Sequence, residues 1–172
     1  MMIIPKNAQI ILDKKVALLK LDRIAFQILE KTFHTNEVVL LGIADGGFIL
    51  AEKLKSIIHK YDTNKKIELA SLYINKQNPL SEEIQLSMVE NLQDKVIVVV
   101  DDVANTGKTM FYAFKKLVNF NIKQIITCVL IDRTHKKFPI QSDIVGLQMA
   151  TTFNEHIIVK FIENEIENAY LF

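Results

Sequence analysis

Apolar residues in this chain gather in short runs separated by amphipathic stretches. "EVVLLGI" at residues 37–43, "KVIVVVD" at 95–101 and "QIITCVLID" at 124–132 are near-continuous apolar runs rich in β-branched residues. Runs of that length, apolar on both faces, are the pattern of strands buried inside a parallel sheet. "KIELASLYI" at 66–74 alternates enough to be a further strand, and "SDIVG" at 142–146 and "HIIVKFI" at 156–162 are shorter candidates. Asp13, a residue type that caps helix N-termini, precedes a stretch at 14–33 with Val16, Leu19, Ile24 and Ile28 near helical spacing. "FILAEKLKSIIHKY" at 48–61 sets Ile49, Leu50, Leu54, Ile57 and Ile58 on one helical face, and "KTMFYAFKKLVNF" at 108–120 reads as a third helix. Strands alternating with helices predict an α/β fold, a mostly parallel sheet covered by helices on both faces. Residues 75–94 are a long polar connection with Pro79 and only weak alternation.

Ligands of such sheets collect beyond the carboxyl ends of the strands. The loops "ADGG" at 44–47, "DDVANTGKT" at 101–109 and "DRTHKKFP" at 132–139 all leave strand ends, so they are expected along one edge of the sheet. The middle one poses a conflict. A small-residue turn running into a helix N-terminus is an anion site, yet it opens on Asp101 and Asp102. "TGKT" suggests a nucleotide-triphosphate loop, but that loop needs a glycine five positions before its Gly-Lys pair. Asp102 stands there instead and would repel a triphosphate. A pair of carboxylates that merely caps the loop is the plain structural alternative. A ligand with a phosphate at one end and a vicinal diol a few ångströms away satisfies both halves. Backbone amides of Ala104, Asn105, Thr106, Gly107, Lys108 and Thr109, with the two threonine hydroxyls, would hold the phosphate. Asp101 and Asp102 would accept hydrogen bonds from the diol, and would favour a divalent ion or a developing positive charge at the sugar carbon.

Composition narrows the picture without changing it. The chain has 172 residues, which predicts a single domain over 1–172. Net charge is +1, so no global basic field points to nucleic acid. The lone cysteine, Cys128, lies inside an apolar run and reads as a buried strand residue. No intrachain disulfide framework, secretory leader or bilayer-length apolar run is legible, and a cytoplasmic protein is expected. His34, His59 and His156 have no metal-ligand spacing with other donors, and they read as structural.

The stretch "IVVVDDVANTGKT" resembles the phosphoribosyl-pyrophosphate (PRPP) signature of the type I phosphoribosyltransferases: apolar residues, two acids, a short loop, then Thr-Gly-x-Thr. "VLIDRTHKKFPIQSDIVG" at 129–146 is similar to a segment of the pyrimidine-operon attenuation regulators, which are also uracil phosphoribosyltransferases. Asp132, Arg133, His135, Lys136, Pro139 and Ile140 match that segment. "IILDKK…DRIAFQILE" and "GIADGGFILAEKL" align as well, so the similarity covers nearly the whole chain.

The resemblance implies the type I fold with a small hood at about 133–152 and a mobile lid at about 76–94. It implies transfer of the phosphoribosyl group of PRPP to uracil with Mg²⁺, giving UMP and pyrophosphate. The ion would be held mainly by substrate, with no direct protein ligand. Asp101 and Asp102 would be the catalytic acids. Ala44, Asp45, Gly46, Gly47 and Lys76 would face the pyrophosphate, and Asp132, Arg133 and Met149 the base. Arg23, His135 and Lys136 match the family's RNA-contacting face, and a homo-oligomer, dimer or tetramer, is implied. The chain departs from the pattern where the family carries basic residues around the pyrophosphate. Ala44, Gly46 and Ile74 stand in those places, and residues 77–94 contain no Lys or Arg. Lys76 is the candidate replacement. Beside an active uracil transferase, two other functions stay open at this point: a non-catalytic UMP- or PRPP-binding regulator of pyrimidine genes, and an attenuator that binds RNA.

Overall fold

In a computed structural model, the structure describes residues 4–89, 91–152 and 154–172. Residues 1–3 at the head of the predicted domain, and Glu90 of the expected lid, lie outside the described residues. The chain runs β1 (Gln9–Asp13), α1 (Lys14–Lys31), β2 (Glu37–Ile43), α2 (Ala44–Tyr61), β3 (Lys66–Tyr73), β4 (Gln85–Ser87), β5 (Val96–Ala104) and α3 (Lys108–Leu117). It continues through β6 (Gln124–Arg133), β7 (Ile144–Met149), β8 (Ile157–Ile162) and β9 (Glu165–Leu171). Six strands form one sheet in the order β4-β3-β2-β5-β6-β7, parallel except for the edge strand β4. β1, β9 and β8 form a separate antiparallel sheet. This is the type I phosphoribosyltransferase fold expected above.

Both faces of the central sheet are buried, and period two along the strands decides which residue serves which side. Val38, Leu40, Val96, Val98 and Val100 pack with apolar residues of α1 and α2. Val39, Leu41, Ile97 and Val99 pack on the other face with Met110, Ala113 and Leu117 of α3. The continuous apolar runs are therefore a requirement of the fold. Asp13 does cap α1, its carboxylate accepting from the Val16 N–H at 2.8 Å. Cys128 is buried among strand residues, and burial pushes its thiol well above the usual cysteine range. No helix among the described residues is long and apolar enough to cross a membrane.

Three expectations need correction. Residues 44–47 are not a loop but the first turn of α2. The helix can start there because its glycines let it press onto the end of β5. A Cβ on Gly47 would lie 2.4 Å from the Val100 carbonyl oxygen, and one on Gly46 would lie 2.7 Å from Asp102 Oδ2. Residues 133–152 do not build the hood, because β7 joins the main sheet beside β6. The small sheet comes instead from the chain ends, β1 with the β8–β9 hairpin. The expected lid at 76–94 is partly built in: β4 pairs with β3, and Ile84 and Leu92 are buried.

Gly47→Ala is expected to lower stability, because a backbone carbonyl must move to admit the methyl group. Overpacking of this kind costs about 1–3 kcal/mol, which thermal unfolding should show as a midpoint lowered by roughly 3–10 °C. An unchanged midpoint would mean that α2 does not depend on this contact.

Candidate functional site

The end of β5, the turn at 104–107 and the start of α3 form one wall of a cleft of about 350 Å³. It is lined by residues 101–110, by Lys76 and by Ile157, Ile158 and Val159 of β8. The acid pair and the entire anion loop therefore face one space, as their spacing in the sequence suggested. Gly107 is the N-cap of α3 with φ 80°, a left-handed conformation that glycine adopts without strain, and no side chain caps the helix. The first-turn amides of α3 thus have no partner inside the helix, and those not taken by a side chain are available to an anion. The Thr106 hydroxyl oxygen accepts from the Lys108 N–H at 3.3 Å.

Asp101 is buried, at 2% exposure, whereas Asp102 is half-buried. Lys76 Nζ donates to Asp101 Oδ1 at 3.1 Å and to Asp102 Oδ1 at 3.4 Å. One ammonium faces two carboxyl groups, so ionising both would leave one negative charge over in a poorly solvated place. Burial pushes Asp101 up to about 8, with the Asp102 charge adding to it and Lys76 opposing both. Burial alone would lower Lys76, but the two carboxylates outweigh it and hold the ammonium above the ordinary lysine range. Lys108 Nζ donates to the Gln77 carbonyl at 3.1 Å, tying the segment that carries Lys76 to the start of α3.

The remaining candidates are distributed differently from the expectation. Ala44 and Asp45 line a separate depression with Phe48, Ile49, Ser71 and Tyr73, while Gly46 lies directly against Asp102. Asp132 and Arg133 are buried at the end of β6 and do not line the cleft. Asp132 pairs with Lys136, and Arg133 reaches the phosphate loop through Asn105. Met149, at the end of β7, is partly buried against the hydrophobic core. The apolar wall of the cleft is instead Ile157, Ile158 and Val159. Sequence reading missed their role, although it read a strand there. Arg23 donates to the carbonyls of Val145 at 2.7 Å and Gly146 at 2.6 Å, so its guanidinium is committed to β7. Lys136 and His135 likewise have partners within the chain. Among the described residues, no three His, Cys, Asp or Glu side chains converge as a metal cage.

Comparison with known proteins follows the same lines. The family model described as phosphoribosyl transferase domain matches residues 7–162. The Bifunctional protein PyrR of Clostridium kluyveri is 34% identical over 164 residues, covering 92% of this chain and 93% of that protein. The Bifunctional protein PyrR of Staphylococcus aureus is 29% identical over 172 residues, covering 96% and 98%. Among solved structures, the hypoxanthine phosphoribosyltransferase of Trypanosoma cruzi superposes with a TM-score of 0.75 at 15% identity, covering 93% of this chain and 95% of that one. At that identity the likeness is one of fold.

The Asp101 shift has a pH signature. Its folded-state value lies near 8, above the value of about 4 for an unfolded aspartate. The stability it contributes is present below pH ~4 and is lost as pH rises toward ~8, because the unfolded chain releases the proton more easily. Asp101→Asn keeps an acceptor but removes the charge. Its unfolding midpoint should match that of the unsubstituted protein near pH 4 and exceed it increasingly up to pH 8. A difference that does not vary with pH would contradict this picture of the acid pair.

Proposed function

The chain belongs to the phosphoribosyl transferase family, and we propose that it transfers the phosphoribosyl group of PRPP to a pyrimidine base, uracil, giving UMP and pyrophosphate. The observation that carries this reading is the shared cleft. An acid pair and a loop of open backbone amides face one space, matching a ribose diol and its 5′-phosphate. The PyrR names of the relatives support a pyrimidine, since a bifunctional protein of that kind would join base salvage to pyrimidine-gene regulation.

In the proposed reaction the bond from the sugar C1 to pyrophosphate breaks, the bond from C1 to the base nitrogen forms, and that nitrogen loses its proton. Asp101 and Asp102 hydrogen-bond the ribose hydroxyls, and the negative charge that the pair carries favours the cation that develops at C1. Amides of residues 104–109 and the hydroxyls of Thr106 and Thr109 hold the 5′-phosphate. Lys76, displaced from the acid pair by the arriving diol, lies close enough to answer the pyrophosphate. Gly46, against Asp102, lets the start of α2 approach the same side. The apolar face of β8 packs on the base.

Mg²⁺ fits this donor set, because it is commonly bound by one or two carboxylates together with substrate phosphates. When bound, it supplies countercharge to the leaving pyrophosphate. We place the protein in the cytoplasm, where these substrates are found.

Self-association through α1 is part of the proposal. Leu19 and Phe26, one heptad apart on that helix, are 61% and 50% exposed, with the Phe26 ring only partly covered by Tyr61. A dimer or tetramer would bury them.

A second reading is favoured by a specific feature: Lys76 and Lys108 are the basic residues lining the cleft among the described residues. So few cations at the pyrophosphate suit a protein that binds UMP or PRPP without turnover and regulates pyrimidine genes through RNA. Arg23, His135 and Lys136 would then take their part in RNA contact only on leaving their partners in the chain.

Pyrophosphate release from PRPP and Mg²⁺ with uracil, beside hypoxanthine, guanine, adenine and orotate, separates the two readings. Release with uracil alone is expected. Binding of UMP without release would move the conclusion to the regulator, and release with a purine alone would overturn the base assignment. In the active protein, Asp102→Asn should weaken PRPP binding by about tenfold or more, the value of one charge-assisted hydrogen bond. Calorimetry showing equal affinity would remove Asp102 from the ribose site.

A further inference from the structure

The basic stretch at 133–138 lies beside the cleft, yet none of it lines the cleft. Its donors approach the phosphate loop from behind. Lys136 Nζ donates to the Ala104 carbonyl at 3.1 Å and to the Asn105 carbonyl at 3.4 Å, while paired with the buried Asp132. The backbone N–H groups of Lys137 and Phe138 both donate to the Thr106 carbonyl, at 3.0 and 3.1 Å. Arg133 Nη1 donates to Asn105 Oδ1 at 2.8 Å. Its other nitrogens hold the Thr152 carbonyl, at 2.5 Å, and the Thr151 hydroxyl. Three consecutive carbonyls of the loop are thus drawn to one side. In a trans peptide the C=O and the following N–H point in opposite directions. The N–H groups of Asn105, Thr106 and Gly107 are therefore turned away from this row of donors and toward the cleft. A cation against the carbonyl end also polarises the peptide group, making its N–H a better donor.

We propose that Lys136 and Arg133 are positioning residues of the phosphate site, acting through the peptide groups of residues 104–107 rather than touching the ligand. The inference rests on the nucleotide reading of the cleft and adds to it the reason the loop is already shaped before a ligand arrives. A turn that ends on a glycine, Gly107, can adopt many conformations, and each one lost in advance is one the ligand need not freeze. Lys136 fixes the main chain at two successive carbonyls. Arg133 fixes the Asn105 side chain and joins the loop to residues 151–152, which lead toward the cleft wall on β8. The cations of this stretch are in this way used on the protein's own backbone dipoles.

The test is UMP affinity by calorimetry in four proteins: the unsubstituted chain, Lys136→Met, the double variant Asp132→Asn with Lys136→Met, and Lys136→Arg. The double variant avoids leaving Asp132 buried without a partner, which alone could unfold the chain. UMP affinity is expected to fall by about tenfold to a hundredfold in both methionine variants. Most of it should return in Lys136→Arg, and the double variant should melt within a few degrees of the unsubstituted chain. Affinity that stays within about threefold in the double variant overturns the inference, and so does affinity that merely tracks the melting temperature across the set. An unsubstituted chain that fails to bind UMP overturns the reading of the cleft itself, and the inference falls with it.

Discussion

Two carboxylates and a single ammonium meet at the C-terminal end of the central strand β5, and the rest of the site is arranged around that imbalance. Asp101 is buried, ionising it beside Asp102 is costly, and a single ammonium, Lys76, faces both. A buried, under-compensated carboxylate is a poor contribution to stability. It is useful only to a ligand that brings donors or positive charge to it. A ribose diol brings donors, and a metal ion or an electron-poor sugar carbon brings positive charge. Stability given up at a site in this manner is a common accompaniment of function.

The fold holds the strained pair by packing from three directions. β2 and β6 flank β5 and fix its register up to the acids. The first turn of α2 presses on β5 at Val100 and on Asp102 through Gly47 and Gly46. Behind the phosphate loop, the stretch at 133–138 fixes the carbonyls at 104–106 and so fixes the amides on their far side. β8, arriving from the chain's C-terminal region, closes the cleft with an apolar wall. Each contact uses a residue type that its task requires: no side chain where backbones meet, a cation where carbonyls gather, and aliphatic groups opposite the polar loop.

What the sequence made legible and what it hid follow from the range of the interactions. β2, β5, β6 and α1 were readable because a doubly buried strand must be apolar throughout and because Asp13 caps its helix three residues on. The acid pair and the turn at 104–107 were readable as neighbours because they are contiguous, and they line one cleft. The small antiparallel sheet was not, because β1 and β9 pair across almost the full length of the chain and neither is strongly patterned. The hood was accordingly placed at 133–152, where β7 in fact extends the main sheet. Residues 44–47 looked like a loop since their glycines suit a turn, and only the packing on β5 shows that the same glycines admit a helix. Arg133 and Lys136 read as groups facing a base or RNA. Their partners are backbone carbonyls, which carry no signature in the sequence.

The central claim is that a 5′-phosphate seats on the amides of this loop while the ribose lies against the acid pair. The most direct measurement is a titration of UMP followed through the backbone amide resonances of the protein. The largest shifts are expected at residues 105–110 and at Asp101 and Asp102, with smaller ones at 157–159. Shifts confined to other surfaces, or none at concentrations that saturate related enzymes, would contradict the assignment of the cleft.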